Sequence, residues 1–122
     1  MNTNLDFISI QVRDMEISKN FYANVLGFDI TPGTNPAAIV FKNQTGASFA
    51  IRMPIGDLPP LPVKLGTGCS LWFGHSGKVD QYAAELTQKG ATIVRPAFET
   101  PFGTSIVVAD PDGYSLTFHE LS

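Results

Sequence analysis

The chain repeats one order of structural elements, and this repetition limits the folds open to it. In the first half, alternating apolar residues predict a strand over 7–12, and Asp14 opens a helix that Gly27 ends. Strands over 38–42 and 48–53 then complete the half. A strand, a helix and two further strands in this order are typical of an α+β module.

The second half follows the same order. Val79, Tyr82, Ala83 and Leu86 recur at helical spacing before a stop at Gly90. Because helix length, stop glycine and closing hairpin all recur, a duplication is favoured over an ordinary α+β sandwich whose halves are alike by chance. Strands are expected over 70–74, 91–95, 105–109 and 115–120, and the turn Asp110-Pro111-Asp112-Gly113 joins the last two.

Each helix is expected to bury one face. In the first helix Ile17, Phe21 and Val25 recur every four residues, with Tyr22 and Leu26 widening the apolar stripe. Caps are expected from Asp14 for this helix and from Ser76 for the second.

Strand residues that point away from the helices form the candidate site. Alternation places Ile8, Ile10, Val12, Phe49, Ile51, Met53, Leu71, Phe73, Leu116 and Phe118 beneath the helices. The opposite side is poor in bulky aliphatic residues, which suits the lining of a small-molecule cavity. Its expected members are Phe7, Ser9, Gln11, Ser48, Ala50, Arg52, Ser70, Trp72, Gly74, Ser115, Thr117 and His119.

Composition excludes several classes of protein. With 122 residues the chain fits one compact domain, and four prolines within 54–62 indicate a linker between its halves. A net charge of −3 argues against a nucleic-acid binder, and no apolar run is long enough to predict a membrane span. A single cysteine, Cys69, excludes an internal disulfide, and a small buried hydrophobe is favoured over a nucleophile there. We therefore expect a cytoplasmic domain.

Two signatures resemble the vicinal oxygen chelate superfamily, which includes glyoxalase I, fosfomycin-resistance proteins, extradiol dioxygenases and bleomycin-resistance proteins. The segment 12–22 followed by Leu26-Gly27-Phe28 is similar to its first half, and Gly90-Ala91, Pro96, 99–103 and 110–113 are similar to its second half. The resemblance implies a single α+β domain over 1–122, in which two βαβββ modules form a curved mixed sheet around a cleft, often in a homodimer. Module one spans about 5–54, the linker about 55–67 and module two about 68–122.

The metal ligands of the catalytic members do not carry over to this chain. The matching positions hold Phe7, Ala50, Ser70 and Thr117, and these side chains cannot replace imidazole and carboxylate around a divalent ion. The two histidines, His75 and His119, give a weak metal signal. We therefore expect no metal and no cofactor.

A binding function is the interpretation that remains. The segment Glu99-Thr100-Pro101-Phe102-Gly103 and the missing ligands look most like the bleomycin-resistance branch, whose members sequester a drug without altering it. Phe41 is favoured as a core residue, Glu99 and Glu120 are candidates for attracting a cationic ligand, and the sign of the ligand's charge stays open. The expected small-molecule site comprises Phe7, Gln11, Arg52, Trp72, Phe102, Thr117 and His119.

Two alternatives remain beside this one. One is a metal-dependent enzyme of the same superfamily, of the glyoxalase or dioxygenase type, and the other is an interaction module with a vestigial cleft.

Overall fold

The computed structural model describes residues 2–33, 35–43 and 46–121, which fall into two compact units. The first unit runs to Leu58 and the second begins at Pro59. Gln44 and Thr45, which connect the strands predicted over 38–42 and 48–53, lie outside the described residues. Each unit holds one mixed sheet and one helical segment, as the predicted α+β class requires.

The first unit builds a three-stranded sheet in the order β1-β3-β2. Its strands are β1 (Phe7–Gln11), β2 (Ala38–Phe41) and β3 (Ser48–Arg52), and its helix is α1 (Met15–Lys19), which continues as a π-helical segment (Asn20–Val25). β1 runs parallel to β3, β2 runs antiparallel to β3, and a single antiparallel bridge joins Ile30 to Phe41.

The second unit has the same topology with one more full strand. Its order is β4-β7-β6-β5, with β4 parallel to β7 and the other pairs antiparallel. The bridge at Ile30 stands where this unit has β5, so the predicted repeat of elements is confirmed. The elements are β4 (Leu71–His75), α2 (Val79–Gln88), β5 (Thr92–Thr100), β6 (Gly103–Ala109) and β7 (Ser115–Glu120).

Aromatic rings fill the core of the first unit. Tyr22 is fully buried, and its ring centroid lies 5.3 to 6.2 Å from those of Phe21, Phe28, Phe41 and Phe49. Phe41 is therefore a core residue, as predicted. Such ring pairs contribute about 0.5–1.5 kcal/mol each beyond their burial.

The expected stripe on α1 is wrong in its first turn. Asp14 caps the helix as predicted, since its Oδ1 accepts from the main-chain N–H groups of Glu16 and Ile17. Ile17, however, is 56% exposed, whereas Ser18 is buried. The buried face centres on Tyr22, and Ser18 lies one helical turn before Tyr22. Ile17 therefore lies at the edge of the buried face and not at its centre.

The predicted start of α2 is also corrected. The helix begins at Val79 rather than after Ser76, and Lys78 offers no side-chain cap. Instead the Glu120 carboxylate at the end of β7 accepts from the Val79 N–H at 3.0 Å, and Lys78 Nζ lies 3.6 Å from it. Glu120 is thus a helix cap, and its role in attracting a cationic ligand stays a prediction.

Three smaller expectations differ from the structure. β5 runs past Pro96 to Thr100, because register shifts on either side of Arg95 leave Pro96 out of the strand pairing. Met53 is 48% exposed because β3 ends at Arg52, and Cys69 is exposed rather than buried. Among the described residues no helix has the length and apolarity needed to cross a membrane.

Candidate functional site

Within the described part of the second unit, the sheet packs one face against α2, and no helix of this unit covers the other face. Phe118 marks the helix side, because its ring centroid lies 5.2 Å from that of Tyr82 on α2 and 5.3 Å from that of Phe73. Residues paired across the strands point to the same side. We call the other side the helix-free face, and its strand members include Trp72, Gly74, Thr117, His119, Ser105, Val107, Arg95 and Phe98.

An aromatic cluster stands on the helix-free face. The ring centroid of Trp72 lies 5.6 Å from that of Phe102 in an edge-to-face arrangement, and 6.2 Å from that of His119. Trp72 is 46% exposed and Phe102 is 68% exposed. Leu121 adds an aliphatic side chain, because its Cδ2 lies 2.6 Å from where a Cβ on Gly74 would be. Large rings left exposed together form an apolar surface suited to a flat ligand.

Hydrogen bonds hold Phe102 in place. Thr100 Oγ1 accepts from the Phe102 N–H at 3.1 Å and donates to the Gly103 carbonyl at 2.7 Å. Gly103 has a φ of +122°, and a Cβ there would lie 2.8 Å from the Glu120 carbonyl oxygen. The turn that carries Phe102 is therefore fixed by a glycine that no other residue can replace without strain.

Polar groups lie between the rings. Thr117 and Ser105 are buried, and Ser105 Oγ donates to the Gly103 carbonyl at 3.0 Å. His119 Nδ1 is buried and has no hydrogen-bond partner. A buried nitrogen without a partner is costly, so it marks a position where a ligand atom is able to pair.

Arg95 adds a positive charge to the same face. Its Cζ lies 3.6 Å from the centre of the Phe98 ring, a cation–π contact. Sequence reasoning did not select Arg95 or Phe98, because the bulges in β5 hide which side each residue faces. An arginine at the end of a predicted strand was the only available signal.

The three candidates of the first unit lie on β1 and β3. Phe7 is 47% exposed and pairs with Ser48, and Gln11 pairs with Arg52. Gln11 Oε1 accepts from the Ile55 N–H at 2.8 Å, and Arg52 Nε donates to the Met53 carbonyl at 3.0 Å. Both polar side chains thus have main-chain partners, and a ligand role for these three residues stays a prediction.

A groove also lies near the end of β2 in the first unit. Its volume is about 550 Å³, it is open to solvent, and its lining includes Asp29 and Ser48. Its polar lining includes Asn43, whose Nδ2 already donates to the Ala47 carbonyl.

The donor positions of a metal site hold unsuitable side chains. Phe7 offers a ring, Ala50 offers a buried methyl group, and Thr117 offers a buried neutral hydroxyl. A divalent ion requires imidazole, carboxylate or thiolate donors in a fixed arrangement, so these residues do not fit one. Within the described parts of the chain, no three His, Cys, Asp or Glu side chains group closely enough to hold an ion.

His75 belongs to the helix side of the sheet. Its ring stacks on Tyr82 with centroids 4.2 Å apart. Burial lowers the pKa of His75, and the neighbouring carboxylates of Glu85 and Glu120 oppose this effect. Burial likewise raises the pKa of Tyr82. His75 is therefore a structural residue. It lies apart from the aromatic cluster of Trp72, Phe102 and His119, which we call the Trp72 cluster.

A single protein-family model matches residues of both units. The family model described as the Glyoxalase/Bleomycin resistance protein/Dioxygenase superfamily matches residues 4–118. None of the curated proteins matches the chain.

Solved structures share the fold over nearly the whole chain. TnmS3, an antibiotic binding protein from Streptomyces sp. CB03234, is 23% identical over 98% of this chain and 97% of its own, with a TM-score of 0.73. A glyoxalase/bleomycin resistance protein from the same organism is 25% identical over 96% and 99%, with a TM-score of 0.69. An integron cassette protein from the mobile metagenome of V. cholerae is 21% identical over 100% and 98%, with a TM-score of 0.74.

Proposed function

The chain belongs to the glyoxalase/bleomycin resistance protein/dioxygenase superfamily, and from this premise we propose that it binds a small aromatic molecule, such as an antibiotic, without metal chemistry. The ligand lies on the helix-free face of the second sheet, against Trp72 and Phe102. Since the family pattern spans both units, we take them together as one domain.

The Trp72 cluster carries this proposal. Trp72, Phe102 and His119 come from β4, the turn before β6, and β7, and their rings meet within 5.6 to 6.2 Å. Such a cluster offers flat contact area while the polar atoms of His119 and Thr117 lie beside it. The description of TnmS3 as an antibiotic binding protein supports the same function for this fold.

The experiment is a titration followed by the fluorescence of Trp72, the only tryptophan. Bleomycin and a panel of flat aromatic antibiotics are added to the purified protein, and at least one is expected to change the emission saturably. Absence of any response across the panel would overturn the proposal.

A pair of variants then locates the bound molecule by calorimetry. Phe102→Ala should weaken binding by about 1–3 kcal/mol, the range of an aromatic anchor. Ile17→Ala is the matched control, because Ile17 is also exposed but lies on α1 of the first unit. Equal affinities of the two variants would place the ligand elsewhere.

We propose further that the protein acts as a homodimer in the cytoplasm. Dimers are implied by the family resemblance, and an exposed free thiol such as Cys69 stays reduced in that compartment. Light scattering after size exclusion should give twice the monomer mass of 13.2 kDa, and a monomer mass would refute the dimer.

A further inference from the structure

We propose, resting on the function above, that the ligand is an aromatic molecule with an anionic oxygen group, whose ring lies on Trp72 and whose oxygens pair with Arg95 and His119. The net charge of −3 by itself favours a cationic ligand, but the charged side chains are distributed unevenly over the second unit.

Arg95 is the only formally charged side chain among the described strand residues assigned to the helix-free face. It shares a row across the sheet with Trp72, since Trp72 pairs with Thr117, Thr117 with Val107 and Val107 with Arg95. Strands are spaced by about 4.8 Å, so the row spans about 14 Å. A ligand whose aromatic ring lies on Trp72 is able to extend along this row and direct an acidic group towards Arg95.

The side-chain carboxylates of the described residues in the second unit lie on other elements or have other partners. Glu120 is occupied as the cap of α2, and Glu99 Oε1 accepts from Thr104 Oγ1 at 2.8 Å, on the helix side. Asp80 and Glu85 belong to α2, whereas Asp110 and Asp112 belong to the turn between β6 and β7. Among the described strand residues of the helix-free face, the one formal charge is therefore positive, although the net charge of the chain is negative.

Arg95 is held ready to bind an anion. Its guanidinium lies over the Phe98 ring, and it forms no ion pair with any described residue. Stacking restricts the side chain while the N–H groups along the edge of the guanidinium remain able to donate. A carboxylate or phenolate is the group that such an edge recognises.

His119 supplies a second donor position. It lies beside this row, because His119 pairs with Ser105 and Ser105 with Phe98. Its buried Nδ1 has no partner, so an anionic oxygen that accepts a hydrogen bond from it satisfies the nitrogen.

Three naphthalene probes separate the charge preference from ring stacking. Binding of 2-naphthoate, 2-naphthylmethanol and 2-naphthylmethylamine is measured by calorimetry on the intact protein. The carboxylate is expected to bind about ten-fold more tightly than the other two, which is the effect of one charge-assisted hydrogen bond. An amine that binds as tightly as the carboxylate would overturn the inference.

Two variants assign the preference to residues. Arg95→Gln should remove most of the ten-fold preference for the carboxylate over the alcohol. Lys89→Gln is the matched control, because it makes the same change of net charge just after α2. It should alter neither the preference for the carboxylate nor the affinity for the alcohol. An unchanged preference in Arg95→Gln would refute the role of Arg95.

His119→Phe keeps a ring beside Trp72 and removes the nitrogen, so it should reduce carboxylate binding alone, with circular dichroism confirming the fold. Equal carboxylate affinity in this variant and the wild type would refute the role of His119.

The two proposals fail in different ways. If neither the antibiotics nor the probes bind, the proposed function is wrong. If the alcohol and the amine bind against Trp72 and the carboxylate binds no better, only the charge assignment is wrong.

Discussion

At the scale of single residues, Gly103 is the position where backbone conformation and site meet. Its positive φ and the nearby Glu120 carbonyl leave no room for a Cβ. We expect Gly103→Ala to lower the free energy of unfolding by about 1–3 kcal/mol in chemical denaturation. Gly56→Ala is the control, because Gly56 has open space and no positive φ, and it should not be destabilised. Equal losses in both variants would contradict this account.

The partly buried imidazole of His75 makes the stability depend on pH. Since burial lowers its pKa in the folded state, the unfolded chain binds protons more readily. This contribution therefore favours unfolding as the pH falls through about 6.5, the usual histidine pKa.

The variant His75→Phe retains a flat ring against Tyr82 and cannot be protonated. Between about pH 7.5 and pH 5.5, we expect it to lose less unfolding free energy than the wild type, measured by denaturation at each pH. A parallel decline of the two proteins would mean that His75 does not carry the effect.

At the scale of elements, α2 depends on a cap from a distant strand. Glu120→Ala leaves the Val79 N–H without its partner, so it should destabilise the protein by about 1 kcal/mol, as loss of a helix cap does. Ser76→Ala is the matched test of the cap expected from sequence and should have little effect. Thermal or chemical unfolding of the two variants decides between them, and a larger loss for Ser76→Ala would reverse the assignment.

Sequence pattern predicts the strands well where the side chains alternate without interruption. The bounds of β7 are those expected, and Trp72 and His119 face away from α2 as the alternation predicts. The sequence pattern does not predict the structure where a β-bulge interrupts the alternation of side chains, or where a hydrogen-bond partner is far away along the chain. The bulges of β5 reorient Arg95, and the cap of α2 comes from a residue 41 positions along the chain. Neither effect leaves a local signal.

At the scale of the whole molecule, the two units share a topology and differ in what their sheets carry. The first replaces a full strand by the bridge at Ile30 and concentrates its rings in the core. The second places Trp72 and Phe102 outside its core. The two units thus share a strand order, and only the second adds an exposed ring cluster to the rings of its core.

Removing metal ions tests the proposed chemistry of the whole protein. After dialysis against a chelator, we expect an unchanged melting temperature and unchanged affinity for whichever ligand binds, because the donor positions hold phenylalanine, alanine, serine and threonine. Elemental analysis of the protein before dialysis is the accompanying measurement. A stoichiometric divalent ion whose removal abolishes binding would contradict this expectation.

During synthesis, each unit remains incomplete until its last strand has left the ribosome, because that strand pairs with the first. The first unit is able to close once β3 emerges, while β4 waits with an unpaired edge through all of α2, β5 and β6. β7 then arrives with both Glu120 and His119. The helix cap and the proposed oxygen contact therefore enter the nascent protein together, with the strand that completes the sheet of the second unit.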